Sequence, residues 1–127
     1  MGNNTYTQIL EFGDFPYKEK TNFVFTRNKT LLNTNFVRFI SQDIKSFLVK
    51  LKEMKGKNIW LLGGSQINTL LLNNSLIDEM MIFIYPIVLG EGIPLFSEKY
   101  NQNELKLIET KEFSSGLVQL FYRFTEK

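Results

Sequence analysis

The sequence predicts an α/β fold, and three observations carry that expectation. Hydrophobic periodicity alternates along the chain between a helical period and a strand period. The apolar run Asn58 to Leu62 leads directly into Gly63-Gly64 and a helix-like stretch, and a second run, Met80 to Ile87, follows it and is apolar at nearly every position. Two long strand-like runs close the chain around Ser114-Ser115-Gly116. With 127 residues, no internal repeat and no Pro/Gly/Ser linker, residues 1–127 read as one domain long enough to bury a core.

Each element has a local reason. Thr5 to Phe12 reads as a short helix with Tyr6, Ile9 and Leu10 on one side and Gly13 as its stop. After the loop Asp14 to Tyr17, Asn22 to Thr26 is a β-rich run, Arg27 to Thr30 a polar turn, and Phe36 to Phe39 another short strand. Ile44, Phe47, Leu48 and Leu51 recur at i, i+3, i+4 and i+7, which predicts a helix capped by Ser41 and ended by Gly56. Asn58 to Leu62 is apolar on both faces, the pattern of a buried strand. Ile67, Leu70 and Leu71 face inward from a third helix that ends at Asn73-Asn74-Ser75. With Met80 to Ile87 as the next strand, this stretch makes a βαβ unit with a right-handed crossover. Leu105 to Phe113 and Leu117 to Thr125 form a hairpin.

Composition excludes several chemistries. The chain has neither Cys nor His, so a disulfide framework, a cysteine zinc site, a thiol nucleophile and a Ser/His/Asp triad are ruled out. Acid–base work falls to carboxylates, Tyr, Lys, a cofactor or water. Lys and Arg number 15 against 13 Asp and Glu and are scattered, so nucleic acid or an anionic membrane has no electrostatic support as a partner. The run Met80 to Leu89 is too short to span a bilayer, and the first residues lack a signal-peptide pattern, so the chain reads as cytoplasmic.

Candidate chemistry concentrates at turns. Gly63-Gly64-Ser65-Gln66 lies between a strand and a helix, where free N–H groups and the positive dipole end favour a phosphate. The same glycines also suit a tight turn built for close packing, because the full dinucleotide fingerprint is missing. Thr26-Arg27, with Lys29 nearby, leaves another strand, where Arg either clamps a phosphate or sits in a solvated turn. Gly90 and Gly92 flank Glu91, for which a bulge or bend is the preferred reading. Asp78 and Glu79 are adjacent on a strand and point to opposite faces, so they terminate the strand and form no acid/base dyad. Tyr122-Arg123-Phe124 is strand alternation. No residue is assigned as catalytic, and no metal is expected.

Five motifs occur in order along the chain: Met1-Gly2-x-x-Thr5-Tyr6, Val24-Phe25-Thr26-Arg27, Ile59-Trp60-Leu61-Leu62-Gly63-Gly64, Leu76-Ile77-Asp78-Glu79 and Pro86-x-x-Leu89-Gly90-x-Gly92-x-Pro94-Leu95-Phe96. In this order and spacing they resemble the dihydrofolate reductase-like family, nearest to the reductase domain of the bifunctional riboflavin-pathway deaminase-reductase. The resemblance implies a three-layer sandwich with a mixed, mainly parallel sheet and an antiparallel C-terminal hairpin. It also implies an NADPH-dependent reductase that passes a hydride to a small heterocycle of the pteridine or riboflavin-precursor pyrimidine type. On this resemblance Gly2, Thr5, Gly63, Gly64, Ser65 and Gln66 match the turns that hold the pyrophosphate, and Thr26 and Arg27 match the turn near the adenosine 2′-phosphate. Asn3 stands where the family often has Arg, which leaves one cation fewer for that phosphate.

The family also carries a strand and a helix ahead of the Met-Gly turn, and the expected domain is therefore N-terminally truncated. The absent first strand belongs between the strands matching Ile59 to Leu62 and Met80 to Ile87, and the absent second strand belongs on the other side of Ile59 to Leu62. Each unpaired backbone group in a buried strand costs about 1–3 kcal/mol, against a net stability of about 5–15 kcal/mol for a domain. Three outcomes follow, in decreasing rank: a fragment of a normal reductase, strands supplied by another chain, or direct pairing of Ile59 to Leu62 with Met80 to Ile87. The rival function is a non-catalytic nucleotide-binding or dimerisation remnant, for which the C-terminal hairpin offers a natural twofold surface.

Overall fold

A computed structural model describes residues 1–97 and 99–125. The elements are α1 (Asn3–Glu11), β1 (Asn22–Phe25), β2 (Val37–Ile40), α2 (Ile44–Glu53), α3 (Ser65–Asn73), β3 (Glu79–Ile84), β4 (Leu105–Glu112) and β5 (Val118–Phe124). Strands β1 and β2 pair in parallel, from Asn22 opposite Val37 to Phe25 opposite Ile40. Met1 and Gly2 extend this sheet on the other side of β1. The Met1 nitrogen donates to Phe23 O at 3.0 Å, the Phe25 N–H donates to Met1 O at 2.9 Å, and Gly2 bridges Phe25 in parallel. The second sheet is antiparallel in the order β3-β5-β4, and the Gly116 turn, at φ 83°, closes the β4–β5 hairpin. The mixed α/β class and the C-terminal hairpin are as expected, although the parallel share is small.

Two small cores hold the helices to the first sheet. Phe15, Val24 and Val37 are buried together, with Tyr6 and Ile9 of α1 packed on them. The rings of Phe15 and Phe39 both meet Tyr6 edge to face at 5.6 Å, a favourable arrangement of aromatic quadrupoles. Phe25, Leu48 and Leu71 form the second core with Ile44, Phe47 and Leu51, which are the helical repeat read from the sequence. The cap of α2 differs from the expectation. Asp43, not Ser41, is the N-cap, accepting from Lys45 N–H at 3.0 Å and from the Ser46 hydroxyl at 2.6 Å. Both residue types can cap, and Asp43 is the one placed immediately before the first helical residue.

The larger correction concerns Ile59 to Leu62. This segment takes no ladder partner among the described residues, so neither the βαβ unit nor the direct pairing with β3 forms. Its apolar character had suggested burial, yet Ile59 is 51% and Trp60 71% exposed. Ile59 and Trp60 lie exposed and Leu61 and Leu62 half-buried, so the segment is not the fully buried strand for which the penalty was reckoned. Only Leu61 packs against the second core. Among the described residues no helix is long and apolar enough to cross a membrane.

Asn22 ties the connecting loops to the first sheet. It is 7% exposed, and its Nδ2 donates to the carbonyls of Tyr17, Lys20 and Phe36 at 2.8, 2.8 and 3.0 Å. Asn22→Ala leaves these acceptors without that donor and should destabilise the chain by about 1–3 kcal/mol in urea unfolding. The Asp43 carboxyl is held below its ordinary value of 3.8, first by the Ser46 hydroxyl hydrogen bond and then by backbone N–H groups and Lys45. The folded chain thus binds this proton more weakly than the unfolded one, so the stabilisation is present above 3.8 and is lost as the pH falls through the lowered value. Asp43→Ala should lower the melting temperature at pH 7, with the gap to the unsubstituted chain closing in acid.

Candidate functional site

Two helices begin side by side. Gly2 is the N-cap of α1 and Gly64 the N-cap of α3; neither makes a side-chain capping bond, and neither first turn holds an acidic residue. The first intrahelical bonds run from Tyr6 N–H to Gly2 O at 3.1 Å and from Asn68 N–H to Gly64 O at 3.0 Å. The N–H groups ahead of them in each first turn are therefore left for an outside acceptor. The Gly2 N–H donates to Gly63 O at 2.8 Å and locks the two starts together.

Glycine is needed here for closeness. A Cβ on Gly2 would lie 3.2 Å from Ile67 Cγ1, and one on Gly64 would lie 3.3 Å from Thr5 Oγ1, so the Thr5 hydroxyl faces the Gly64 turn. Gly63 has φ 100°. The structure thus brings Gly2, Thr5, Gly63 and Gly64 together, with Ser65 and Gln66 in the first turn of α3. Both positive dipole ends and a set of N–H donors meet at one place, an arrangement suited to an anion.

Thr26 and Arg27 follow Phe25, the bridge partner of Gly2, and so leave the sheet beside the start of α1. The Thr26 N–H donates to Ile40 O at 3.0 Å, and its hydroxyl accepts from Asn28 N–H at 3.1 Å, which fixes the turn. Arg27 is exposed and makes no salt bridge among the described residues. The side chains of Asp78 and Glu79 have separate partners. Lys52 Nζ donates to both Asp78 carboxylate oxygens at 2.7 Å, and Arg123 donates to Glu79 at 2.8 Å. Both carboxylates are structural, and Glu91 stands exposed in its loop. An apolar cleft lined by Leu72, Met80, Phe96, Tyr100, Leu105 and Phe124 includes none of the candidate residues.

Sequence reasoning overlooked the polar face of α3. Asn68 Nδ2 donates to Leu95 O at 2.9 Å, Thr69 Oγ1 accepts from Ser97 N–H at 2.8 Å, and Asn73 Nδ2 donates to Lys99 O at 3.1 Å. These bonds strap the loop after β3 along the helix. The signal was two polar residues, Asn68 and Thr69, set inside an apolar helix that buries them at 8% and 7% exposure.

Comparison with known proteins agrees with this architecture. Residues 14–119 match the RibD C-terminal domain family, and the chain belongs to that family, the reductase domain of RibD. The uncharacterised protein YwjB of Bacillus subtilis (strain 168) is 39% identical over 123 residues, which cover 96% of this chain and 70% of YwjB. YyaP of the same organism is 40% identical over 105 residues, covering 83% of this chain and 55% of YyaP. A crystal structure from Shewanella sp. PV-4, of a protein named for riboflavin biosynthesis, superposes with a TM-score of 0.86 at 29% identity, over 99% of this chain and 72% of that one. RibD of Acinetobacter baumannii shares the fold at a TM-score of 0.60 and 17% identity, over 83% of this chain and 38% of RibD.

The positive φ at Gly63 yields a prediction. Gly63→Ala forces an L-residue into that conformation and should cost about 1–3 kcal/mol in denaturant unfolding from the backbone alone, since the added methyl group meets Asn68 only at an ordinary 3.7 Å.

Proposed function

We propose that this chain binds NADPH and belongs to a reductase that transfers a hydride to a small heterocycle of the pteridine or riboflavin-precursor pyrimidine type. The observation that carries the reading is the pair of uncapped helix N-termini joined at Gly2 and Gly63. The residues fit a pyrophosphate. They present a cluster of N–H donors, a hydroxyl from Thr5, no acidic side chain in either first turn, and glycines where a Cβ would press on Ile67 or Thr5. In this reading the first turns of α1 and α3 hold the pyrophosphate through Gly2, Thr5, Gly63, Gly64, Ser65 and Gln66, and Arg27 beside Thr26 faces the adenosine 2′-phosphate. The bound dinucleotide supplies the hydride. The contribution of the chain is to fix the anion and thereby the position of the reacting ring.

A second reading, a nucleotide-binding module without turnover, is favoured by one feature. Ile59 and Trp60, on the segment that leads into the Gly63-Gly64 turn, lie open to solvent, so that flank does not exclude water from a bound ring. NADPH oxidation measured with pteridine and pyrimidine substrates separates the two. Turnover supports the reductase, and tight binding with no oxidation of any of them supports the module. In thermal shift, NADPH should raise the melting temperature as a ligand of the folded state does. Arg27→Ala should weaken NADPH by about tenfold, the scale of one exposed charge-assisted contact, and leave NADH unchanged. Equal loss for both nucleotides would remove Arg27 from the 2′-phosphate.

A further inference from the structure

Backbone N–H donors dominate the candidate site, and Asn68 sets a buried acceptor beside them. Asn68 is 8% exposed, and its Nδ2 is committed to Leu95 O at 2.9 Å, an acceptor that fixes which way the amide points. Its Oδ1 is buried and has no hydrogen-bond partner among the described residues. Both terminal atoms of the amide lie 3.7 Å from where a Cβ of Gly63 would stand, so the group sits against the turn that joins the two helix starts. A buried acceptor left without a donor costs about 1–3 kcal/mol, and native proteins rarely retain one unless something supplies the missing bond.

From this geometry we infer that Asn68 Oδ1 positions the bound ligand by accepting a hydrogen bond from an uncharged donor next to its phosphates. The inference rests on the nucleotide reading of the site. It adds a requirement that the helix ends do not impose, since they recognise only negative charge and an acceptor recognises a neutral N–H or O–H. A ligand that satisfies both carries an anionic group flanked by a hydroxyl or an amide. In a nicotinamide dinucleotide two groups have this chemistry, the ribose hydroxyls and the carboxamide N–H. Asn68 is a positioning residue in this scheme and takes no part in bond making.

The test is a set of binding affinities. Dissociation constants are measured for NADPH, for its nicotinic acid analogue, which has a carboxylate in place of the carboxamide, and for ADP-ribose, which keeps the adenosine, the pyrophosphate and the ribose hydroxyls but lacks the nicotinamide and the 2′-phosphate. They are measured on the unsubstituted chain, on Asn68→Ala and on Thr69→Val. Thr69→Val loosens the same strapped loop at Ser97 without touching Oδ1, and so reports a purely structural effect.

If the carboxamide is the donor, Asn68→Ala weakens NADPH by about tenfold and leaves the acid analogue and ADP-ribose unchanged. If a ribose hydroxyl is the donor, Asn68→Ala weakens all three by a similar factor while Thr69→Val does not. Either pattern supports the inference. It is overturned if Asn68→Ala leaves every affinity within about twofold, as an ordered water on Oδ1 would give, or if Thr69→Val reproduces the losses. Failure of the unsubstituted chain to bind any of the three removes the nucleotide reading and this inference with it, a result distinct from binding that ignores Asn68.

Discussion

The hydrogen bond from Gly2 N–H to Gly63 O, at 2.8 Å, is the constraint on which the arrangement of the first sheet and its helices depends. On one side of it Met1 and Gly2 run beside β1, and on the other the extended segment ends in the turn that starts α3. Because α1 begins immediately after Gly2 and α3 immediately after Gly64, one backbone bond fixes where two helices start. The separation is short enough that both caps are glycine. A side chain at either would press on Ile67 or Thr5. Packing and function are thus set by the same atoms, since the close approach that excludes side chains also leaves the first-turn N–H groups facing outward.

Helix α3 is the element through which the rest communicates. Leu71 packs into the core shared with α2 and β1, and Leu72 lines the cleft against Met80, Leu105 and Phe124 of the antiparallel sheet. No ladder joins the two sheets among the described residues, and side-chain packing around α3 and its polar bonds to Leu95, Ser97 and Lys99 link α3 to the chain that follows β3. The ion pairs Lys52–Asp78 and Arg123–Glu79 sit at the entry to β3. Exposed pairs of this kind contribute little on their own and serve mainly to fix where the strand begins.

Much of this was legible in the sequence where a pattern had one physical solution. The i, i+3, i+4, i+7 repeat of Ile44, Phe47, Leu48 and Leu51 could only bury one helical face, and the turn at Ser114-Ser115-Gly116 could only reverse the chain. Patterns that depend on context have more than one solution. Ile59 to Leu62 is apolar, yet burial needs neighbours, and hydrophobicity does not reveal whether they are there. Ser41 and Asp43 both cap helices by type, and the register of α2 decided between them. Gly2 and the Gly63-Gly64 turn could be singled out separately, but their contact across more than 60 positions could not be read from spacing alone. Asn68 escaped notice because its leucine neighbours dominate the periodicity, and a buried amide shows itself only through the atoms around it.

The antiparallel sheet has two unlike margins. Along β4 the outer strand is studded with Lys106, Glu109, Lys111 and Glu112, side chains that resist the approach of another strand. Along β3 the sequence Met80 to Ile84 has no charge and no proline after Glu79, and Met81, Phe83 and Ile84 are 54%, 44% and 50% exposed. Growth of this sheet by addition of further strands is therefore one-sided. The exposed β3 edge is thus the margin of this sheet open to another strand, and charge added there by Met81→Lys or Phe83→Lys should favour solubility without touching the helix starts on the other sheet.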